Sequence, residues 1–302
     1  MRTLIIAGAS GFLGTALSQA ARRRGWQVKT LVRRAPMTTT EIAWNPAAGQ
    51  LARADIAGAD AIVCLAGAPI AGGLWTAKRR QIITTSRTAT TGLLSRTIAS
   101  LRPADRPDIF ISGSAIGYYG DRGNEQLTET ANAGCGFLSG VCQAWEAAAT
   151  GAIDAGVRTV FARTGNVIDR EGGLLQALLP AYRAHLGARL GDGTQYFATI
   201  WRRDWVEAIC FILEHPTIAG PVNLVAPGVQ SFADFHHEIE RALGRRSPAV
   251  IPAGLLQLAG AMGKELLLAS QRVVPQVLCD HNFTFRAPTL QATVRRAISP
   301  EL

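Results

Sequence analysis

The sequence predicts a doubly wound α/β fold, a parallel sheet covered by helices on both faces, followed by a smaller and mostly helical lobe. Three observations point there. Short apolar runs alternate with stretches of helical spacing through the first two-thirds of the chain. The runs do not alternate polar with apolar residues, as expected of strands buried on both faces. The first run leads directly into a glycine-spaced turn, Gly8-Ala9-Ser10-Gly11-Phe12-Leu13-Gly14. With 302 residues, 48% of them hydrophobic and 18% charged, the chain is too apolar for disorder and long enough for a large domain with a lobe.

Thr3–Ala7 is the first strand. Phe12, Leu13, Ala16, Leu17, Ala20 and Ala21 then follow helical spacing, and Gly25 supplies the stop. Gln27–Val32 is the second strand and Asp60–Ala66 the next, ending at Gly67. A long helix is expected from Thr76 to Leu101, closed by Pro103. Ile109–Ser112 is a strand, Phe137–Ala155 a helix ended by Gly156, and Thr159–Ala162 a strand. Strands alternating with helices imply right-handed crossovers and a parallel sheet. After about Gly165 the rhythm loosens. Gly172-Gly173 opens a helix through Tyr182, Arg203–Glu214 is a helix, and Val222–Val225 a strand. Ser231-Phe232-Ala233-Asp234 begins a capped helix. The expected division is a dinucleotide-binding domain over 1–165 and a substrate lobe over 166–302, with about 199–228 returning to the first domain.

Composition narrows the function classes. The most apolar stretch, Val250–Leu268, is broken by Pro252, Gly254, Gly260 and Gly263 and carries Lys264 and Glu265, so no membrane span is expected. The N-terminal apolar run is too short for a signal-peptide core. The net charge is +9, yet only Lys29, Lys78 and Lys264 are lysines. The arginines cluster as pairs and triplets (Arg22-Arg23-Arg24, Arg33-Arg34, Arg79-Arg80, Arg202-Arg203, Arg245-Arg246), mostly at expected helix ends, where cations complement the helix dipole. No basic stripe interleaved with aromatics is present, which argues against nucleic acid and for a small, anionic ligand. Five scattered cysteines make neither a disulfide framework nor a zinc motif and suit a reducing cytoplasm. Cys64 and Cys142 are expected as core residues. The histidines form no hydrolytic triad and no ligand motif, and His236-His237 is expected as a surface pair. Oligomeric state is not legible.

The glycine turn carries the chemistry. Its position between a strand and a helix is that of the Rossmann dinucleotide fingerprint. The first glycine permits a tight turn, the second a close approach to a pyrophosphate, and the third close packing of helix on strand, while the helix N-terminus offers amide donors. Gly8, Ser10, Gly11, Phe12, Leu13 and Gly14 are therefore candidate cofactor residues. The second strand ends Leu31-Val32-Arg33-Arg34, without the carboxylate that grips an NAD ribose. Arg33 and Arg34 point to the 2′-phosphate of NADP rather than to NAD; the plainer reading is a solvated basic pair.

Together with Leu65-Ala66-Gly67, Ser112-Gly113-Ser114-Ala115, Tyr118-Tyr119-Gly120 and Arg163-Thr164-Gly165, this turn resembles the extended short-chain dehydrogenase/reductases. More narrowly the chain resembles their atypical NAD-dependent epimerase/dehydratase branch, in stretches that include Ala66–Ile70, Ser86-Arg87, Trp145-Glu146, Leu179-Pro180, Gly191-Asp192-Gly193 and Gln271–Pro275. The resemblance implies cofactor contacts from Leu65, Ala66, Gly67 and Arg87, a substrate-orienting Ser114, and substrate-side positions at Asn166 and Trp201. The superfamily also uses a tyrosine acid/base and a lysine four residues later. Placing Glu146 on the acidic residue common after that motif sets Leu138 at the tyrosine position and Cys142 at the lysine position; the sequence has no YxxxK. Tyr118 and Tyr119 are the candidate substitutes, beyond a strand end where ligands bind in such sheets, unless the pair only shapes its loop.

The expected function is an NADP-binding protein acting on a small molecule by oxidoreductase or epimerase/dehydratase chemistry. The alternatives are a catalytically silent NADP-binding sensor and a non-redox cyclase or isomerase reusing the pocket.

Overall fold

The computed structural model describes residues 1–299. The strands of its main sheet are β1 (Thr3–Ala7), β2 (Gln27–Val32), β3 (Glu41–Ala43), β4 (Ala61–Cys64), β5 (Ile109–Ala115), β6 (Arg158–Thr164) and β7 (Gly220–Leu224), in the order β7-β6-β5-β4-β1-β2-β3, and shorter strands pair in two-stranded sheets besides. The pairs β1–β2, β2–β3, β1–β4 and β4–β5 are parallel. From β1 the chain builds outward through β2 and β3, then returns to β1's other side as β4. That reversal of strand order is where doubly wound sheets bind ligands, beyond the carboxyl ends of the strands. Register brings those ends level: Ala7 lies opposite Leu31 and Cys64, and Cys64 opposite Ser112.

The main helices are α1 (Phe12–Arg23), α2 (Ala77–Ala99), α3 (Phe137–Ala147), α4 (Thr150–Asp154), α5 (Gly173–Arg183), α6 (Arg202–Glu214), α7 (Phe232–Leu243) and α8 (Leu290–Ile298). Contacts group the residues into two compact units, and neither is continuous in sequence. The first comprises Met1–Ser114, Val141–Ala162 and Ile209–Pro221; the second comprises Ala115–Gly140, Arg163–Ala208 and the chain from Val222 onward.

In the first unit, Ile5, Ala7, Ile62, Cys64 and Phe110 pack against Leu93, Leu94 and Ile98 of α2 and Ala149 and Ala152. The Thr76 hydroxyl caps α2 by accepting from the Arg79 amide at 3.2 Å. In the second unit, Leu175, Leu179 and Tyr182 of α5 pack with Phe232, Phe235 and Ile239 of α7 and Leu290, Val294 and Ala297 of α8. Ser231 and Asp234 form the expected capping box on α7, and Gly244 closes it in the left-handed conformation. Among the described residues no helix is long and apolar enough to cross a membrane.

Three details differ from the sequence reading. The helix expected over Phe137–Ala155 is interrupted at Ala148-Ala149. There the Ser95 hydroxyl of α2 accepts from the Ala152 amide at 2.8 Å, supplying a side-chain partner in the first turn of α4. β3 escapes detection because its three residues bury only Ile42. Finally, the basic pairs do not all sit where the helix dipole favours them. Arg22 and Arg23 close α1, but Arg79 and Arg80 lie in the first turn of α2, and Arg202 opens α6. Arg202 is compensated locally by Asp169 at 3.1 Å and Glu171 at 2.5 Å.

Candidate functional site

The glycine turn folds for reasons of space. Gly8 has φ +85°, and a Cβ there would stand 2.9 Å from the Leu65 carbonyl carbon. A Cβ on Gly14 would stand 2.1 Å from the Gly8 carbonyl oxygen. The Gly11 amide donates to that oxygen at 3.0 Å, closing the turn. Gly11 then caps α1 without a side-chain partner, and no acidic residue lies in the first turn. Ser10 and Gly11 are exposed, and Phe12 and Leu13 half-buried. A helix start without a side-chain cap, beneath a cradle that side chains would fill, fits the diphosphate of a dinucleotide.

Other strand ends of this unit converge there. Leu65, Ala66 and Gly67 continue from β4 beside Gly8. Their loop is tied to α2, where the Ser86 hydroxyl accepts from the Ala68 amide at 3.0 Å and Thr90 donates to the Ala66 carbonyl at 3.3 Å. Arg87 is buried, with Cγ and Cζ 3.3 Å from the place a Gly67 Cβ would occupy. Ser114 is buried, and its hydroxyl donates to Glu146 Oε1 of α3 at 2.6 Å. Sequence reasoning used Glu146 only as a family landmark; its carboxylate is the direct partner of Ser114. Cys142, at the lysine position, is buried, and Leu138, at the tyrosine position, is half-buried.

The two arginines after β2 separate in role. Arg34 forms a fork on Glu41, at 2.6 and 2.8 Å. That pairing is the chief reason the Glu41 carboxyl falls to about 2, with the Met37 amide helping. Arg33 is exposed and has no hydrogen-bond or ion-pair partner among the described residues.

In the second unit Tyr118 and Tyr119 meet edge to face, centroids 5.4 Å apart. The Arg163 guanidinium lies 3.5 Å from the centroid of Tyr118 and donates to the Tyr119 hydroxyl at 3.0 Å. That hydroxyl donates to Asn223 Oδ1 at 2.7 Å. Burial pushes the Tyr119 phenol up, against the pull of Arg163. Tyr119 is thus fully enclosed, while Tyr118 is half-buried. Glu129 also belongs to this network: its Oε1 accepts from the Asn223 and Val277 amides at 3.0 and 3.2 Å, and burial pushes its carboxyl up. Asn166 and Trp201 lie apart from the tyrosine pair in their contacts. Asn166 donates from its side chain to the Ala198 carbonyl at 3.0 Å. Trp201 is buried in the unit's core. A cleft of about 810 Å³ in this unit is lined by Asn124, Asp192, Thr194, Gln195, Tyr196 and Ser270 among others.

One sequence expectation is corrected here. His236 is not at the surface but is buried against Tyr182, with Nδ1 2.7 Å from the phenolic oxygen; only His237 is exposed. The helical phase contained the signal, since His236 falls on the stripe of Phe232, Phe235 and Ile239. His236, His237 and Glu240 place their ligand atoms within 4.8 Å of one another. The carboxylate is already engaged, by the Ser247 amide at 2.5 Å and His237 at 3.0 Å.

Comparison with known proteins finds similar chains. The model of the NAD dependent epimerase/dehydratase family matches residues 4–224, and a domain of unknown function (DUF1731) matches residues 251–297. An epimerase family protein of Mycobacterium tuberculosis is 37% identical over 286 residues, covering 94% of each chain. The human epimerase family protein SDR39U1 is 31% identical over 300 residues, 98% of this chain and 99% of that one. The crystal structure of human SDR39U1 (isoform 2) with NADPH superposes with a TM-score of 0.89 at 28% identity, covering 99% of this chain and all of that one.

Proposed function

The chain belongs to the NAD-dependent epimerase/dehydratase family, and from that premise we propose that it binds NADP(H) and uses it on a small, anionic molecule in oxidoreductase or epimerase/dehydratase chemistry. The observation that carries the reading is the Gly8–Gly14 cradle at the start of α1, which no side chain caps. The NADPH in the structure of the human relative supports it. Arg33 holds the 2′-phosphate, because its guanidinium is uncommitted while Arg34 is spent on Glu41.

When bound, the nicotinamide would supply hydride acceptance and return. The chain's own contribution is positioning and proton handling. The Ser114 hydroxyl hydrogen is given to Glu146, so the serine oxygen offers lone pairs to a substrate hydroxyl. Glu146 can in turn receive the serine proton. Tyr118, held by Arg163, is the candidate proton donor; Tyr119 has its hydroxyl occupied and serves as the network's anchor. A second reading, a silent NADPH sensor, draws on Leu138 and Cys142 standing where a tyrosine and a lysine would act.

Fluorescence titration with NADPH and NADH tests the cofactor claim, and absorbance at a panel of carbonyl substrates separates enzyme from sensor. Arg33→Ala is expected to weaken NADPH about tenfold or more while leaving NADH nearly unchanged. Equal losses for the two cofactors would remove the 2′-phosphate assignment, and no binding of either would remove the proposal.

A further inference from the structure

His236, His237 and Glu240 form a cluster on α7 that the cofactor reading leaves without a role. Residues three and four apart on a helix are surface neighbours, and helical side chains lean toward the N-terminus, so Glu240 reaches back to both rings. His236 Nε2 stands 3.6 Å from Glu240 Oε1, and His237 Nδ1 stands 3.0 Å from Glu240 Oε2. A tetrahedral ion bonded at about 2.0–2.1 Å sets its ligand atoms about 3.3–3.4 Å apart. The two measured distances bracket that spacing, so little movement separates the cluster from a coordination shell. Burial is graded across it: His236 is enclosed, Glu240 half-buried and His237 exposed. The exposed end supplies an entry path and room for a water.

The surrounding groups orient these three. The other ring nitrogen of His236, Nδ1, lies 2.7 Å from the Tyr182 oxygen of α5. Metal-binding histidines fix their ring by such a bond from the nitrogen that does not ligate. The Ser247 amide donates to Glu240 Oε1 at 2.5 Å and steadies the carboxylate, which keeps Oε2 and further lone pairs for other partners. A second observation points to a ligand. Ser247 is fully buried, and its hydroxyl has no hydrogen-bond partner among the described residues. A buried hydroxyl left unmet beside a carboxylate is completed by a water or by the water on an ion. We propose that His236 Nε2, His237 Nδ1 and a Glu240 oxygen bind one divalent ion of the zinc class per chain, with water in the fourth position. Two nitrogens and a carboxylate oxygen suit zinc and its late first-row neighbours, whereas magnesium and calcium take oxygen ligands. Both imidazoles bind neutral. His236 keeps its hydrogen on Nδ1, donated to Tyr182, and His237 keeps its own on Nε2. The sequence conceals the site because His236-His237-Glu238-Ile239-Glu240 matches no customary ligand spacing. The site lies within one compact unit and is independent of the cofactor reading.

The test uses zinc chloride alone as the probe, on the untagged full chain at about pH 7.5, where imidazoles are neutral. Isothermal titration should give one zinc per chain. Zinc at about a hundredfold over its dissociation constant should raise the melting temperature by about 5 °C relative to the protein in EDTA. Cobalt(II) in place of zinc should show the visible absorption of a tetrahedral ion. His237→Ala changes an exposed residue, and Glu240→Gln keeps an acceptor for the Ser247 amide. Each is expected to weaken zinc about tenfold or more and to abolish the cobalt absorption. His237→Asn serves if the alanine variant does not fold. His281→Ala, a histidine outside the cluster, should bind zinc as the unaltered chain does. The inference is overturned if the unaltered chain binds no zinc, or if His237→Ala and Glu240→Gln bind it undiminished. It is equally overturned if His281→Ala loses the ion instead, or if magnesium raises the melting temperature as much as zinc.

Discussion

At the scale of single residues, the side chains divide into those offered to a ligand and those consumed by the fold. Tyr119 shows the second kind. Its hydroxyl joins Asn223 Oδ1 and Arg163, both buried. Tyr119→Phe takes the hydroxyl donor from Asn223 Oδ1 and one of the acceptors from Arg163, and is expected to cost about 1–3 kcal/mol, measured by urea denaturation. A loss near zero would mean that Asn223 and Arg163 find other partners. The same division governs what could be read from sequence. Gly8 and Gly14 are legible because backbone geometry admits no side chain there, so the constraint is written in residue type. Glu146 is not, because its bond to Ser114 joins residues 32 positions apart, and a glutamate on a helix is ordinarily solvated. Arg33 and Arg34 look alike in sequence, and only Glu41, seven residues beyond Arg34, sets them apart.

At the scale of elements, boundaries follow from capping partners more than from periodicity. α3 begins under Glu265, whose carboxylate accepts from the Phe137 and Leu138 amides at 2.9 and 2.8 Å. A carboxylate at a helix start satisfies orphan donors and complements the dipole. Glu265→Ala is therefore expected to cost about 1–2 kcal/mol in chemical denaturation, with Glu265→Gln retaining part of it. An unchanged midpoint would show that water replaces the cap. Local caps such as the Ser231–Asp234 box on α7 were legible because both partners lie three residues apart. The Glu265 cap was not, since it arrives from 128 residues away. Nor was the interruption between α3 and α4, where alanines favour helix but Ser95 dictates the restart.

At the scale of the whole molecule, stability should fall on mild acidification. Burial pushes the His236 imidazole below its ordinary value of 6.5, and outweighs the opposing pull of Glu240. The folded chain keeps it neutral while the unfolded chain takes up a proton below about pH 6.5. The unfolded state then binds more protons, so stability drops as pH falls through that value and levels off below the folded-state pKa. Thermal melts from pH 7.5 to 5 check this, and His236→Gln should flatten the decline. An equally steep decline in the variant would assign the effect elsewhere. The sheet itself was legible at this scale because buried parallel strands are apolar runs without alternation.

The interleaving of the two compact units reaches beyond folding, into how such a gene can change. Any uninterrupted stretch holding the whole first unit, from Met1 to Pro221, carries two segments of the second with it. A single genetic crossover therefore cannot trade one unit for a foreign counterpart intact. The two units are thereby tied to each other in any exchange of a single stretch of chain.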